Sequence, residues 1–322
     1  MAFTTSVSTI LLRCTVPPWL YGNLRSSREA IGAILSIAQP SKMKANSMRS
    51  ILLHVYDDKC FEARLQVALD LARQYQGRIT CAHAAPYDFG MPTDFYGAMS
   101  AEMMVEYNKT AKKFRAHIEN ELSNEGVAWD WVTSSGPAMD MIGCHAPIHD
   151  IVIVGAHDPL QISGSPSRFV SELLERVRAP ILVVPENVRS FDVERPVAIA
   201  WNGAPESAHA LRAALPVISR SSSVHVLSVK EKKKTSLRKK FDLPSMKASE
   251  YLAQHDVKSE LTQLPQQKGE SIADTLVNAA EGREAGYIVM GAYGHSRFRE
   301  RILGGVTRDM LRDPPLPLFL AH

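Results

Sequence analysis

The sequence carries little net charge: 37 Lys and Arg stand against 34 Asp and Glu in 322 residues, a formal balance of +3. A field that weak does not draw in nucleic acid or an anionic membrane on its own, so neither is expected as a partner. Cysteine is scarce. Cys14, Cys60, Cys81 and Cys144 form no CxxC pair and have no His at metal spacing, which argues against a disulfide framework or a zinc site and fits a reducing cytoplasm. Cys144 and His145 are neighbours, but adjacent residues of a helix point about 100° apart and do not make a nucleophile with its base. No apolar run reaches the roughly 18 residues that span a bilayer. There is no HExxH, no Lys-ended P-loop and no Ser-His-Asp order, so nothing marks a conventional hydrolase or kinase.

Apolar residues make up 45% and charged ones 22%, a globular composition, and the length suits two domains better than one. Residues 1–48 hold Arg13, Arg25, Arg28, Lys42 and Lys44 against one acid, Glu29. They read as an N-terminal tail or a mis-called start, because Met48 directly precedes the first convincing strand.

From there the chain repeats itself. The apolar run 51–56 is followed by Asp57-Asp58 and by helical spacing through Leu65, Ala68, Leu69 and Ala72. The same order returns 145 residues later, with Val197 to Trp201, then Asn202-Gly203, then a helix through Ala210, Leu211, Ala214 and Leu215; this offset sets Asp57 against Asn202. At an offset of 136, residues 151–156 match 287–292, Ser171-Glu172-Leu173-Leu174 match Thr307-Arg308-Asp309-Met310, and 179–184 match 315–320. The whole unit is duplicated. The units run over residues 49–186 and 195–322, with a polar, proline-bounded linker at 185–196. Further strands are expected at 78–83, 127–132, 151–154 and 181–184. Continuous apolar strands alternating with amphipathic helices predict an α/β fold: two tandem doubly wound domains, each a five-stranded mainly parallel sheet with helices on both faces. Ligands of such sheets sit beyond the carboxyl ends of the strands, near the point where strand order reverses.

One loop at that position stands out. After Met290 the chain reads Gly291-Ala292-Tyr293-Gly294, nine residues, then Gly304-Gly305 and Val306-Thr307 opening a helix. Glycines let the backbone approach a ligand closely, and the first-turn amides of a helix favour an anion. Thr307 and the basic His295, Arg297, Arg299 and Arg301 offer further donors. In the first unit Gly155 is kept, but Asp158 stands for the second glycine and Arg168 and Phe169 for the last pair, so this loop should repel phosphate.

The pattern GAYGHSRFRERILGGVT resembles the nucleotide loop of the universal stress protein family, whose ATP-binding members carry Gly, two residues, Gly, nine residues, Gly, and then Gly, Ser or Thr. The resemblance spans residues 49–322 and implies the adenine-nucleotide alpha-hydrolase-like fold. It further implies that Ala200, Trp201, Asn202 and Val229 hold the adenine and ribose side and that Met290 and Gly291 line the floor. Gly294, Gly304, Gly305 and Val306 would then hold phosphates. The ligand it implies is ATP, or AMP or ADP in its place, with Mg²⁺ held mainly by phosphates and water. Asn202 replaces the usual Asp, and Gly305 offers no hydroxyl. By the same resemblance the last strands pair, between two chains as a homodimer or within one as an intramolecular pseudo-dimer. The function implied is a cytoplasmic stress-response protein that signals by nucleotide occupancy, with at most slow hydrolysis.

A different reading is an adaptor that binds a non-nucleotide ligand or a protein through the Met- and aromatic-rich stretch 87–104. The basic run 230–240 reads as a solvated insertion, since no aromatic residues interleave to stack bases.

Overall fold

The computed structural model describes residues 48–85, 97–158, 165–230, 242–266, 269–292 and 304–322, and for residues 85, 97–108 and 135 the backbone alone. The first unit contains β1 (Ser50–Val55), α1 (Phe61–Tyr75), β2 (Arg78–Ala85), α2 (Gly97–Asn124), β3 (Ala128–Ser135), α3 (Ala138–His145), β4 (Ile151–Gly155), α4 (Arg168–Arg176) and β5 (Ile181–Val184). The second contains β6 (Val197–Ala200), α5 (Pro205–Ile218), β7 (Val224–Lys230), α6 (Ser245–Gln254), β8 (Glu260–Pro265), α7 (Ile272–Glu281), β9 (Tyr287–Gly291), α8 (Gly305–Met310) and β10 (Leu318–Ala321).

Local chemistry places these elements. Helix α1 ends where Gln76 turns left-handed at φ 51°, and Gly77 follows because a Cβ there would lie 2.7 Å from the Arg49 carbonyl oxygen. Helix α7 opens on a capping box in which Ser271 and Asp274 satisfy each other's amides. Helix α5 starts with Pro205 in its first turn, where the missing N–H costs nothing.

Within each unit the strands pair in parallel in the order expected of a doubly wound sheet, but the two sheets are fused. The strand order is β3-β2-β1-β4-β5-β10-β9-β6-β7-β8, with β5 and β10 antiparallel at the seam. The two last strands therefore pair within one chain. Leu182 faces Phe319, with Ile181 opposite Leu320 and Val183 opposite Leu318. Strand faces alternate as a doubly covered sheet requires: Ile51, Leu53 and Val55 enter one apolar core and Leu52 the other, and each core runs through both halves.

The linker corrects its polar reading. Phe191 and Val193 are buried, the Phe191 ring sits 5.2 Å from that of Tyr287, and its amide donates to Asp70 Oδ2 at 2.8 Å. Burying Phe191 is worth about 1.5–3 kcal/mol, so this segment clamps the units together. Across the same junction Tyr75 donates its hydroxyl to the Pro216 carbonyl at 2.9 Å, and Arg220 donates to the Gln74 carbonyl.

Sheet register also revises the internal alignment. Ile51 and Val197 hold equivalent places beside Ile151 and Tyr287, one residue off the offset that paired Asp57 with Asn202, and the first loop is two residues longer, so the turn-closing place of Asn202 falls to Asp58. Ile181 and Leu318 are equivalent beside Val152 and Ile288, one residue off the alignment of 179–184 with 315–320. The loop before α8 is thus one residue longer than its counterpart before α4. Ser167 and Arg168, rather than Arg168 and Phe169, then take the places of Gly304 and Gly305, the two N-caps coinciding.

Candidate functional site: two strand-end crevices

In each unit the strand order reverses next to the first strand, between β1 and β4 and between β6 and β9, so each unit has one crevice at those carboxyl ends. In the second unit Leu227, Ala200, Met290 and Leu320 form one level row across four strands. Ala200 is half-buried, Met290 is buried, and Gly291 ends its strand beside them. Val229 lies two residues beyond Leu227 on β7, half-buried and packed against the core.

The backbone approaches itself closely here. A Cβ on Gly291 would stand 2.5 Å from Glu206 C and from Ser207 N in the first turn of α5. The missing side chain at Gly291 is therefore used by the protein's own packing. Gly203, at φ 83°, lies under the Leu243 carbonyl oxygen, 2.5 Å from where a Cβ would be, and Trp201 Nε1 donates to that same carbonyl at 3.2 Å. Trp201 is 5% exposed, so its indole braces the loop from inside. Asn202 is exposed, and its Oδ1 accepts the Ala204 amide at 3.0 Å, closing the turn that starts α5.

Helix α8 opens on Gly304 as N-cap, which has no side chain to offer the first-turn amides. Gly305 is exposed, and no described atom lies within 4 Å of a Cβ built on it. Val306 is half-buried against the core. Thr307, expected as a phosphate donor, is 4% exposed and takes the core-facing place of Val170. Gly294 and the basic residues 295–301 lie outside the described residues, as do 87–96 and 231–240 of the two insertions.

The first unit keeps the frame and fills it. Asp158 Oδ2 accepts the amides of Arg168 at 2.7 Å and Phe169 at 3.2 Å, its Oδ1 accepts the Ser167 hydroxyl at 2.5 Å, and Ser167 Oγ caps Val170 N. An internal carboxylate thus sits on the amides that correspond to those of Gly305 and Val306. Deeper in, Arg64 is 0% exposed. It donates to Asp58 Oδ1 and Oδ2 at 2.6 and 2.8 Å, and to the carbonyls of His54 and Tyr56 at 2.7 and 2.6 Å. Its Nη1 would be 2.8 Å from a Cβ on Gly155. Asp58 Oδ1 also accepts the Cys60 amide at 2.7 Å, the turn-closing bond that Asn202 makes in the second unit.

His54 completes the plug, its ring stacked 4.7 Å from that of Phe169. Among the described residues its buried Nε2 has no hydrogen-bond partner. Burial holds its pKa well below the ordinary histidine value, and the cationic Arg64 adds to the effect. Cys60 stands with Sγ 3.8 Å from His157 Nδ1, yet it is buried and its thiol is pushed up by desolvation, which suits packing rather than nucleophilic attack.

Two of these features were missed in the sequence: the fully buried Arg64 and the capping role of Asp158. A signal for the first existed, since Arg64 interrupts an otherwise apolar helix face six residues after Asp58. Among the described residues no cluster of three or more metal-ligating side chains occurs, and no helix is long and apolar enough to cross a membrane.

Residues 195–322 match the model of the universal stress protein family. No curated protein sequence matches the chain. Among solved structures the chain is similar to a universal stress protein from Archaeoglobus fulgidus DSM 4304, at 15% identity and TM-score 0.64, over 86% of this chain and 98% of that one. It is likewise similar to a functionally unknown protein from Pseudomonas aeruginosa PAO1, at 15% identity and TM-score 0.56, over 86% and 93%. At that identity the likeness is one of fold.

Proposed function

With residues 195–322 forming a universal stress protein domain inside a fold that carries this unit twice, we propose that the chain binds ATP in its second unit and that occupancy acts as a stress signal. The observation that supports this is the pair of helix starts. In the first unit the cradle of amides is taken by the Asp158 carboxylate, which supports reading this turn as one that favours an anion. In the second unit the same turn is built from Gly304 and Gly305, with neither a carboxylate nor a hydroxyl of its own. The residues fit a polyphosphate there: Gly304, Gly305 and Val306 would supply amides, while Ala200, Met290 and Val229 would give the base an apolar wall at the strand ends. Mg²⁺, if taken up, would be held by phosphate and water, in keeping with its small need for protein ligands.

The test is calorimetric titration of the full chain with ATP, ADP and AMP, with and without Mg²⁺, beside a Gly304→Asp variant that places a carboxylate at the second cradle. Binding by the wild type and its loss in the folded variant is the expected result. A folded wild type that takes up none of the three at millimolar concentration would reject the reading.

A further inference from the structure

Helix α2 is longer than the sheet beneath it requires. Its 28 residues extend about 42 Å, whereas β3, which follows it, has eight residues and about 26 Å. In the second unit the corresponding helix α6 has 10 residues. Phe114, Ile118 and Leu122 tie α2 to the core, and Phe114 fixes its level. The Phe114 ring lies 5.1 Å from that of Phe61 and 6.2 Å from that of His83, which stands two residues before the end of β2. Residues 97–113 make about 25 Å of helix upstream of Phe114, against about 7 Å of β2 beyond His83. About three turns of α2 therefore run past the carboxyl ends of β2 and of the edge strand β3, at the end of the ten-stranded sheet away from the seam.

The sequence of this overhang is patterned in two ways. At about 100° per residue, Met99, Met103, Tyr107 and Ala111 fall in the same sector as Phe114 and Ile118, so the apolar stripe continues where the sheet has ended. Beside it Glu102, Glu106, Lys109 and Lys113 share one flank, within about 60° of each other. Lys109 and Lys113 are exposed. This order serves a solitary helix poorly, because Glu102 and Glu106 are like charges at i,i+4 and so are Lys109 and Lys113. It is, however, complementary to itself. In an antiparallel pair related by a two-fold axis, each flank meets its own copy. An axis between Tyr107 and Asn108 sets Glu102 opposite Lys113 and Glu106 opposite Lys109, and the symmetry repeats both pairs.

We propose that the overhanging end of α2 is a docking surface for a second copy of this chain, joined as an antiparallel helix pair over residues 102–113. The apolar stripe lies along this pair and four charge pairs set its register. All twelve residues precede Phe114, so the two sheets stand at opposite ends of the overlap. The β5–β10 pairing stays within each chain and takes no part.

Sedimentation velocity on the full chain at up to about 100 µM tests it. The wild type should form a reversible dimer. Glu102→Lys with Glu106→Lys makes the flank wholly positive, and Lys109→Glu with Lys113→Glu makes it wholly negative. Each double variant should weaken self-association by about a hundredfold, as four weak attractions become repulsions. An equal mixture of the two should dimerise again, and so should a variant carrying all four changes, in which every pair is restored with its signs exchanged. Recovery in the mixture also shows that both variants are folded. A wild type that stays monomeric overturns the proposal. So does a dimer that both double variants retain, which would place the contact elsewhere, or a folded four-change variant that remains monomeric.

Discussion

One fold occurs twice in this chain, and the two crevices differ in what the protein has put into them. The first is closed by Asp158 at the helix start, by the Arg64–Asp58 pair beneath Gly155, and by the stacked His54 and Phe169. The second presents Gly304 and Gly305 at the helix start and the backbone of Glu206 and Ser207 beneath Gly291. The difference teaches that one backbone frame accepts two helix starts, one whose first-turn amides are held by the chain's own carboxylate and one with no side-chain cap. Two or three side chains decide which.

The largest break in the comparison should come from the plug's centre. Arg64→Leu would strand the Asp58 carboxylate, 10% exposed, together with two carbonyls that Arg64 now satisfies. The expected loss is about 3–5 kcal/mol, read by urea unfolding. Ser207 is the corresponding test beneath Gly291. It is 4% exposed and donates to the Ala204 carbonyl at 2.8 Å, so Ser207→Ala should cost only about 1 kcal/mol. Equal costs would mean that the first crevice is no more dependent on its polar filling than the second. Next in size is Gly291→Ala. Its Cβ would press on backbone of α5 rather than on a movable side chain, for an expected loss of about 1–3 kcal/mol by thermal or urea unfolding. A neutral result would show that α5 can retreat from the strand end.

Much of this architecture was legible in the sequence because strands buried on both faces must be continuous apolar runs, and Ile51 to Val55 or Ile151 to Val154 admit little else. The register between the units was harder. It depends on one extra residue before α8 and on a first loop two residues longer than its counterpart, Ile51 to Phe61 against Val197 to Pro205, and gaps of that size leave no trace in composition. Thr307 and Trp201 read as site residues from their positions in the motif, yet helix phase turns Thr307 to the core and strand-end packing buries Trp201. Arg64 was passed over for the opposite reason: despite its place on an apolar helix face, a lone arginine reads as a solvated one until the carbonyls and the carboxylate that receive it are placed in space. Phe191 and Val193 sit in a segment too short for periodicity to speak, and only tertiary contact reveals that they are core.

A smaller effect, confined to the first unit, is expected with pH. The folded-state pKa of His54 is depressed by burial, with Arg64 and His83 adding positive charge nearby, so the unfolded chain binds its proton more readily. The sign follows: this term favours folding above the unfolded value of about 6.5 and is lost as pH falls below it. His83, depressed by burial and by Arg115, acts in the same direction. Each group contributes at most about 1.4 kcal/mol per pH unit within its window. His54→Phe keeps a ring against Phe169 and removes the titration, so unfolding free energies at pH 7.5 and 5.5 should differ less in the variant than in the wild type. An unchanged difference would assign the acid response elsewhere.

The smallest stability effect is also the sharpest test, because its sign should separate the two units. Gly304→Asp gives the second helix start an N-cap with a side-chain oxygen, as Ser167 gives the first. An acidic N-cap in place of glycine should gain only a few tenths of a kcal/mol, with a further 0.3–1 kcal/mol at most from the helix dipole, each an approximate figure for an exposed cap. Thermal unfolding should therefore show a melting temperature equal to or slightly above the wild type. If the second cradle is there for phosphate, the same substitution must remove nucleotide binding, since the new carboxylate claims the Val306 or Thr307 amide and repels what it does not displace. Stability retained and binding lost would mean that the second helix start forgoes a cap for the sake of a ligand. Binding retained would mean that the phosphates are held elsewhere, and that the resemblance between the two helix starts concerns folding alone.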